Sequence, residues 1–458
     1  MTQAPPADPT TPRLDADALS VAAAATRHRR RPGVVHLGLG AFHRSHQAWY
    51  TQHAVTGPGE TPWGIVAFTG RRPDAAETLA EQDAVYTLVT RGSDGDGVEL
   101  VDAIVAAHDG HDRGRWLAAL AAPETAVVTL TVTEAAYRDG DVVSRLVDGL
   151  RARRDAAAGP VTVLSCDNLP GNGDVVRRAV LDAVAAEPAL AAWIESTVDF
   201  ASSMVDRITP ATTDDDRAEI ARRTGYDDRA VVVAEPFAEW VISGAFPAGR
   251  PPWETAGARF VDDLEPFEHR KLWLLNAGHS LLAYLGPLLG HRTIAEAMAD
   301  PRCRAPLDAL WDEAAAVLPL PAAEIEEARA ALRVRFGNAR IEHTLRQIAV
   351  DGASKLPVRV VDPLRRRLAA GLAPGEGEAT ALAAWWLHLT TEPDLVRDAR
   401  AGALLARSGD RGPTVEAALG EIAADLAADP RLLEAVRRAA DRLRTLTEPS
   451  PPTGESHA

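Results

Sequence analysis

In the first half of the chain the apolar positions gather into short runs, each closed by glycine or polar residues and followed by a stretch of helical spacing. Val34–Leu37, Trp63–Phe68, Ala126–Val132 and Val161–Leu164 read as buried strands. Helices are expected through Tyr50, around Trp116 and over 141–157, and the region 86–107, with Asp94–Gly97 as its turn, reads as a hairpin. Strands alternating with helices predict an α/β domain with a mainly parallel, doubly wound sheet. Past Arg177 the pattern is mixed, and from about Asp263 it turns helical to the end, with breaks near Pro287, Pro319–Pro321, Pro357 and Pro374–Gly377. The expected organisation is a flexible tail over 1–31, a Rossmann-type doubly wound domain over 32–262, a mainly α-helical domain over 263–447, and a Pro/Ser/Gly-rich disordered tail over 448–458. The run Arg29–Arg31 is taken as solvated.

One helix-like run, Pro266 to Gly286, is mostly apolar yet carries Lys271, Asn276 and His279. On an α-helix Asn276 lies about 140° and His279 about 80° round from Lys271, so the three share one broad face. Glu268 lies one turn before the lysine. Composition sharpens this picture. Of 49 basic side chains only Lys271 and Lys355 are lysine, and asparagine occurs only at 168, 172, 276 and 338. A chain that otherwise uses arginine has placed a lysine where a proton can be lost, which arginine cannot do. A snorkelling helix lysine is the plain alternative.

The remaining composition sets bounds. With 458 residues and net charge −16, the chain has the bulk for two or three domains and lacks the basic surface of a nucleic-acid binder. Its two cysteines, Cys166 and Cys303, form no disulfide framework and suit a reducing compartment. The N-terminus lacks the apolar core of a signal peptide, and the apolar window 272–289 is broken by Asn276, His279 and Pro287, so a buried helix is expected there and not a membrane span. A cytoplasmic protein is the expectation.

Val34–Leu37 runs directly into Gly38-Leu-Gly40 and then a helix. Strand, glycine turn, helix opens a dinucleotide-binding unit, because glycines let backbone N–H groups approach a pyrophosphate; His43 replaces the third glycine, and a plain tight turn is the other reading. No acid for a ribose hydroxyl stands at the tip of Trp63–Phe68, where Arg71 and Arg72 either favour a 2′-phosphate or are solvated. Gly38–Gly40, Thr133–Glu134 and Asn168 all fall at the carboxyl ends of predicted strands, the edge at which such sheets bind ligands. Opposite such a domain, the lysine constellation fits carbonyl/alcohol redox chemistry. A lysine desolvated by Leu272, Leu274 and Leu275 can take a hydroxyl proton, amides from Asn276 and Asn168 can stabilise an oxyanion, His279 can share the substrate oxygen, and Glu268 can relay the proton.

The motifs that carry this chemistry resemble the mannitol dehydrogenase family, the long-chain polyol dehydrogenases and their fructuronate-reductase relatives. G-x-G-A-F-H-R-x-H stands at Gly38–His46, S-C-D-N at Ser165–Asn168, and M-V-D-R-I at Met204–Ile208. E-P-F…W-V-I stands at Glu235–Ile242, K-x4-N-x2-H at Lys271, Asn276 and His279, and D-G-x-x-K-L-P at Asp351–Pro357. The resemblance implies a metal-independent oxidoreductase using NAD, with NADP the alternative, in which Lys271 is the acid/base. It makes Asn168 and Asn276 carbonyl polarisers, His279 a positioning group and Glu268 the relay. It sets Gly38, Gly40, Phe42, Arg44, Thr133, Glu134 and Asp206 at the cofactor, and Asp206, Gln347 and Lys355 at the substrate. Two departures stand out: T-E-K-G-Y becomes Thr133-Glu-Ala-Ala-Tyr137, and Gln347 replaces an arginine of some polyol enzymes.

The implied reaction interconverts a sugar alcohol and a 2-ketose, of the D-mannitol/D-fructose type. Fructuronate reduction and mannitol 1-phosphate oxidation are the alternatives, and for an anionic substrate His343, Arg346, Lys355 and Arg359 form a candidate clamp. A metal-binding module built on His43, His46 and the cysteines lacks ligand spacing. A non-catalytic cofactor sensor is the third reading.

Overall fold

The computed structural model describes residues 11–132, 136–137, 140–409 and 412–447. The chain forms two compact units, Met1–Phe267 and Glu268–Ala458.

In the first unit, β1 (Arg31–Leu37), β2 (Trp63–Phe68), β3 (Tyr86–Gly92), β4 (Gly95–Val101), β5 (Ile104–His108), β6 (Val127–Leu130), β7 (Val161–Ser165), β8 (Val198–Asp206), β9 (Val232–Ala234), β10 (Glu239–Ser243) and β11 (Arg259–Phe260) make two sheets. The larger has the order β11-β10-β8-β7-β6-β1-β2-β5, parallel throughout except where β10 meets β8. The chain works outward from β1 through β2 to β5, then returns to β6 and continues to β8. The strand order therefore reverses between β1 and β6, which is where a doubly wound sheet opens a crevice at its carboxyl edge. β3 and β4 form the expected hairpin, with β9 parallel to β3 in a three-stranded sheet. Its turn is Ser93–Asp94, not the expected 94–97, since Gly92 pairs with Gly95 and Gly95 takes φ +144°.

Successive strand residues face opposite sides, and each side has its own core. Val35 and Leu37 pack with Trp116, Leu146 and Val180, while Val34 packs with Tyr50, Ile65 and Trp240. The N-terminal segment departs from the expected tail. Val21–Arg29 is helical, and Leu14 is buried. The arginine run is solvated only in part: Arg29 is exposed, and the other two are engaged. Arg30 donates to the Trp63 carbonyl at 2.8 Å and pairs with Asp102 at 2.8 Å, both side chains almost fully buried; Arg31 stacks on the Trp63 ring at 3.5 Å; and Arg27 donates to the Asp102 and Ile104 carbonyls. The Arg27 and Arg30 guanidiniums thus serve backbone carbonyls at the start of β2 and of β5, a use that a charge run does not advertise.

The second unit is helical among its described residues. Its core is built on two helices buried nearly all round, Ala277–Leu288 and Glu376–Thr391. The latter meets Pro301–Ala315 backbone to backbone: a Cβ at Gly377 would lie 2.2 Å from the Leu310 nitrogen. Glu313 caps the helix that begins there, accepting from Gly377 and Glu378 N–H at 2.8 Å each. No helix among the described residues is long and apolar enough to cross a membrane.

Candidate active site

At the end of β1 the chain turns sharply at Gly38, whose φ of +113° only glycine adopts readily. A Cβ there would lie 2.1 Å from the Thr131 carbonyl oxygen, so the ends of β1 and β6 approach as closely as they do only because this residue has no side chain. Gly38 and Leu39 N–H both donate to the Phe68 carbonyl at 2.9 Å. The Thr131 hydroxyl donates to the Gly38 carbonyl at 2.9 Å and lies 3.0 Å from His36 Nε2, while Thr129 Oγ1 lies 2.9 Å from His36 Nδ1. Because the Thr131 proton goes to Gly38, His36 must carry its hydrogen on Nε2 and accept from Thr129 at Nδ1. Protonation would break the second bond, and burial already holds this imidazole down to about 3. His43 stacks on it at 3.3 Å between ring centroids and is likewise kept neutral by burial.

Gly40 opens the helix Ala41–Ser45, and a Cβ there would meet only the Gly38 carbonyl at 3.6 Å, leaving the space over the turn open. Phe42 is half-buried and stacks on His46. Arg44 spends its donors on the Ala230 and Gly40 carbonyls, so its contacts brace the turn.

The S-C-D-N turn follows β7. Asp167 is 4% exposed, accepts from Val132 N–H at 2.5 Å and the Ser165 hydroxyl at 2.9 Å, and also accepts from the Tyr137 hydroxyl. Burial pushes its carboxyl up to about 6 against the pull of those three donors. It thereby holds both ends of the segment that carries Thr133 and Glu134, which lie outside the described residues. Asn168 is exposed, and the turn behind it is pinned by Asn172, whose amide donates to the Asp167 and Ser203 carbonyls. Asp206 is buried at the end of β8. The flanking motifs hold this strand end: Arg207 donates to the Ser45 and Glu235 carbonyls, and Glu235 Oε1 accepts from Ile208 N–H at 2.7 Å.

In the second unit the expected uniform helix is interrupted. Lys271–Asn276 is a π-helical turn continuous with Ala277–Leu288, and Ala277 N–H reaches back to the Leu272 carbonyl. Hydrogen bonding to the fifth residue widens the turn beyond the about 3.6 residues of an α-helix. The five-residue step from Lys271 to Asn276 therefore comes round to nearly the same side, in place of the large angular offset expected from an α-helix. His279 follows three residues on, so the three side chains form a strip along one side. Carbonyls in the widened turn find other donors: the Trp311 indole N–H serves Leu274 at 2.9 Å, and Arg359 serves Asn276 at 3.3 Å and the Ser280 hydroxyl at 3.0 Å. Stacked His269 and Trp273, with Arg366 over the Trp273 ring, brace the adjoining face.

Lys271 and Glu268 are half-buried, and Asn276 and His279 are buried. His279 stacks on Phe336 at 4.6 Å and meets His343 edge-on at 5.0 Å. Burial, with the charges of Arg335 and Arg359 nearby, pushes its pKa well down, so it is a neutral imidazole. Its Nε2 is buried with no hydrogen-bond partner among the described residues, an arrangement that costs stability unless a ligand serves it.

The D-G-x-x-K-L-P motif explains itself locally. Asp351 adopts φ +56°, Gly352 abuts the Tyr284 hydroxyl where a Cβ would lie 2.2 Å away, and Pro357, which lacks an N–H, opens a second π turn over Pro357–Val361. Lys355 Nζ donates to the Val350 carbonyl at 2.5 Å and the Ile348 carbonyl at 3.4 Å, and burial lowers its pKa. Of the expected cationic clamp, His343 lies on His279, and Arg359 is within electrostatic reach of both His279 and Lys355, whereas Arg346 and Gln347 are exposed and Arg346 lines a separate cavity. Asp167, His36, Thr131 and Phe336 were not singled out in the sequence. Asp167 had a signal, since it sits inside S-C-D-N. Among the described residues no group of three or more His, Cys, Asp or Glu is arranged to hold a metal ion.

Residues 32–255 match the mannitol dehydrogenase Rossmann domain and residues 263–444 the mannitol dehydrogenase C-terminal domain. The chain belongs to the mannitol dehydrogenase family. It is 39% identical to the D-mannonate oxidoreductase of Escherichia coli K12 over 394 residues, covering 79% of this chain and 80% of that one. It is 36% identical to the mannitol 2-dehydrogenase of Cereibacter sphaeroides over 372 residues, covering 75% and 78%. The solved ternary complex of Pseudomonas fluorescens mannitol 2-dehydrogenase with NAD and D-mannitol superposes with a TM-score of 0.78 at 32% identity, covering 96% of each chain. The family's two domains thus account for both halves of the chain, and its motifs fall on the glycine turn, the β7 and β8 ends and the π turn.

Proposed function

We propose that this family member is an NAD-dependent oxidoreductase interconverting a sugar alcohol and its 2-ketose, of the mannitol 2-dehydrogenase type, with Lys271 as the acid/base. The observation that carries the reading is the strip formed by Lys271, Asn276 and His279 on the π turn, with a buried imidazole nitrogen left for a ligand. The open backbone over Gly38–Gly40 at the strand reversal fits a dinucleotide. A dinucleotide held there would supply hydride chemistry at the carbinol or carbonyl carbon.

Lys271 Nζ takes the hydroxyl proton in oxidation and gives it back in reduction, and Glu268, one turn earlier, passes that proton toward solvent. The Asn276 amide donates to the oxygen as charge develops, and Asn168 is assigned the same task. His279, held in plane by Phe336, donates its Nε2 hydrogen to a substrate oxygen. Asp206, Gln347 and Lys355 are assigned to the rest of the polyol chain. Thr133, Glu134, Phe42 and Arg44 are assigned to the cofactor turn.

A second substrate reading, mannonate/fructuronate, is supported by the 39% identity to a D-mannonate oxidoreductase. One panel separates the two: fructose, fructuronate, tagaturonate and fructose 6-phosphate, each with NADH and with NADPH. The highest kcat/KM on fructose with NADH supports the first reading and the highest on fructuronate the second. Absence of turnover on all four refutes both.

A further inference from the structure

The helical unit contains a cavity of about 440 Å³ that none of Lys271, Asn276 and His279 lines. Ala283, Pro287, Leu345, Ala349 and Leu395 give it apolar walls. The charged residues that line it are Arg292, Arg346, Arg397 and Glu392, three arginines, all exposed, against one glutamate, in a chain whose net charge is −16. Its two histidines do not change this balance. His388 is pushed down by burial and lies 3.6 Å from Glu392, and His291 is bound to Asp300 at 2.9 Å.

The protein does little to neutralise the arginines. Arg292 has only a long 3.8 Å contact with Glu296, Arg397 donates through one nitrogen to the Asp394 and Val396 carbonyls, and Arg346 makes no hydrogen bond or ion pair among the described residues. Like charges gathered round a hollow repel one another unless an anion joins them. Guanidinium forks suit the paired oxygens of phosphate. A phosphomonoester, at about −1.5 to −2 at neutral pH, can answer both Arg346 and Arg397, the two lining arginines that make no ion pair among the described residues, whereas a single carboxylate carries charge enough for one.

We propose that this cavity is a second ligand site, for a small organic phosphate whose phosphate lies between Arg346 and Arg397 and whose body rests on the apolar walls. The inference goes beyond the proposed redox function and does not depend on it. One wall of the site also supports Lys355. Val350, which lines the cavity, accepts from Lys355 Nζ, and the Arg397 carbonyl accepts from Asp351 N–H at 3.0 Å. A ligand bridging Arg346 and Arg397 therefore tightens the segment that holds this lysine.

Phenyl phosphate is the probe, with phenol as its neutral control, in calorimetric titrations of the full chain. Wild type should bind phenyl phosphate with Kd below about 1 mM and phenol not at all. Arg397→Glu should weaken binding at least tenfold and Arg397→Gln by a smaller factor. Hydrogen exchange should slow over 345–350 and 388–397 when phenyl phosphate is bound. The Gln variant keeps the test valid if the Glu variant does not fold. No saturable binding to wild type, equal binding to the folded Arg397 variants, or protection confined to other segments would each overturn the proposal.

Discussion

Asp167 makes the most quantitative prediction. Its carboxyl is 4% exposed and raised from 3.8 to about 6, with desolvation as the leading cause. A group whose folded pKa lies above its unfolded pKa binds its proton more tightly when folded. Below about pH 4 it is protonated in both states and costs nothing. The cost grows between pH 4 and 6 and is fully present above 6, at roughly 3 kcal/mol for a shift of about two units. Asp167→Asn is close in shape, keeps an acceptor for Val132 N–H, and cannot ionise. It loses a constant amount from weakened bonds to Tyr137 and Ser165, about 1 kcal/mol each. About 1 kcal/mol of that cost is already present at pH 4.5, so the difference in unfolding free energy between variant and wild type should move by roughly 2 kcal/mol in the variant's favour from pH 4.5 to pH 8, whatever its starting value. Urea unfolding of both proteins at pH 4.5, 6 and 8 measures this. A difference that stays flat within about 0.5 kcal/mol refutes the claim that this carboxylate is ionised against its burial.

Two further outcomes follow from contacts at the site. Gly38→Ala should raise KM for NAD at least tenfold while far-UV circular dichroism is unchanged, because a side chain at φ +113° costs about 1–2 kcal/mol and its Cβ meets the Thr131 carbonyl; an unchanged KM would count against the glycine turn as the cofactor cradle. Phe336→Ala should cost about 3 kcal/mol in urea unfolding and lower kcat more than it raises KM, because His279 loses the ring that fixes its plane. Stability lost with kcat intact would remove His279 from the reaction.

The doubly wound sheet was legible because β1, β2, β6 and β7 are short apolar runs that each end at a glycine or polar turn, a pattern set by local spacing. The strip of Lys271, Asn276 and His279 was legible as residue types but not as geometry. The π turn depends on Trp311 and Arg359, 37 and 83 residues from the carbonyls they serve, and no local period encodes such partners. Arg30 and Arg31 were misjudged for a related reason. A charge run looks solvated until the carbonyls and the carboxylate it meets are in view, as with Arg30 and Asp102. His343 and Arg346, three residues apart, were grouped in one clamp, yet one rests on His279 and the other lines a different cavity.

The central claim is that Lys271 moves the proton. The most direct measurement is single-turnover hydride transfer from NADH to the best substrate of the panel by wild type, Lys271→Ala and Lys271→Arg, after NADH affinity is shown to be equal. Both variants should transfer about 10²- to 10⁴-fold more slowly, the arginine variant nearly as slowly as the alanine one, since arginine keeps its charge but cannot release its proton. Transfer by Lys271→Arg at close to the wild-type rate would contradict the account.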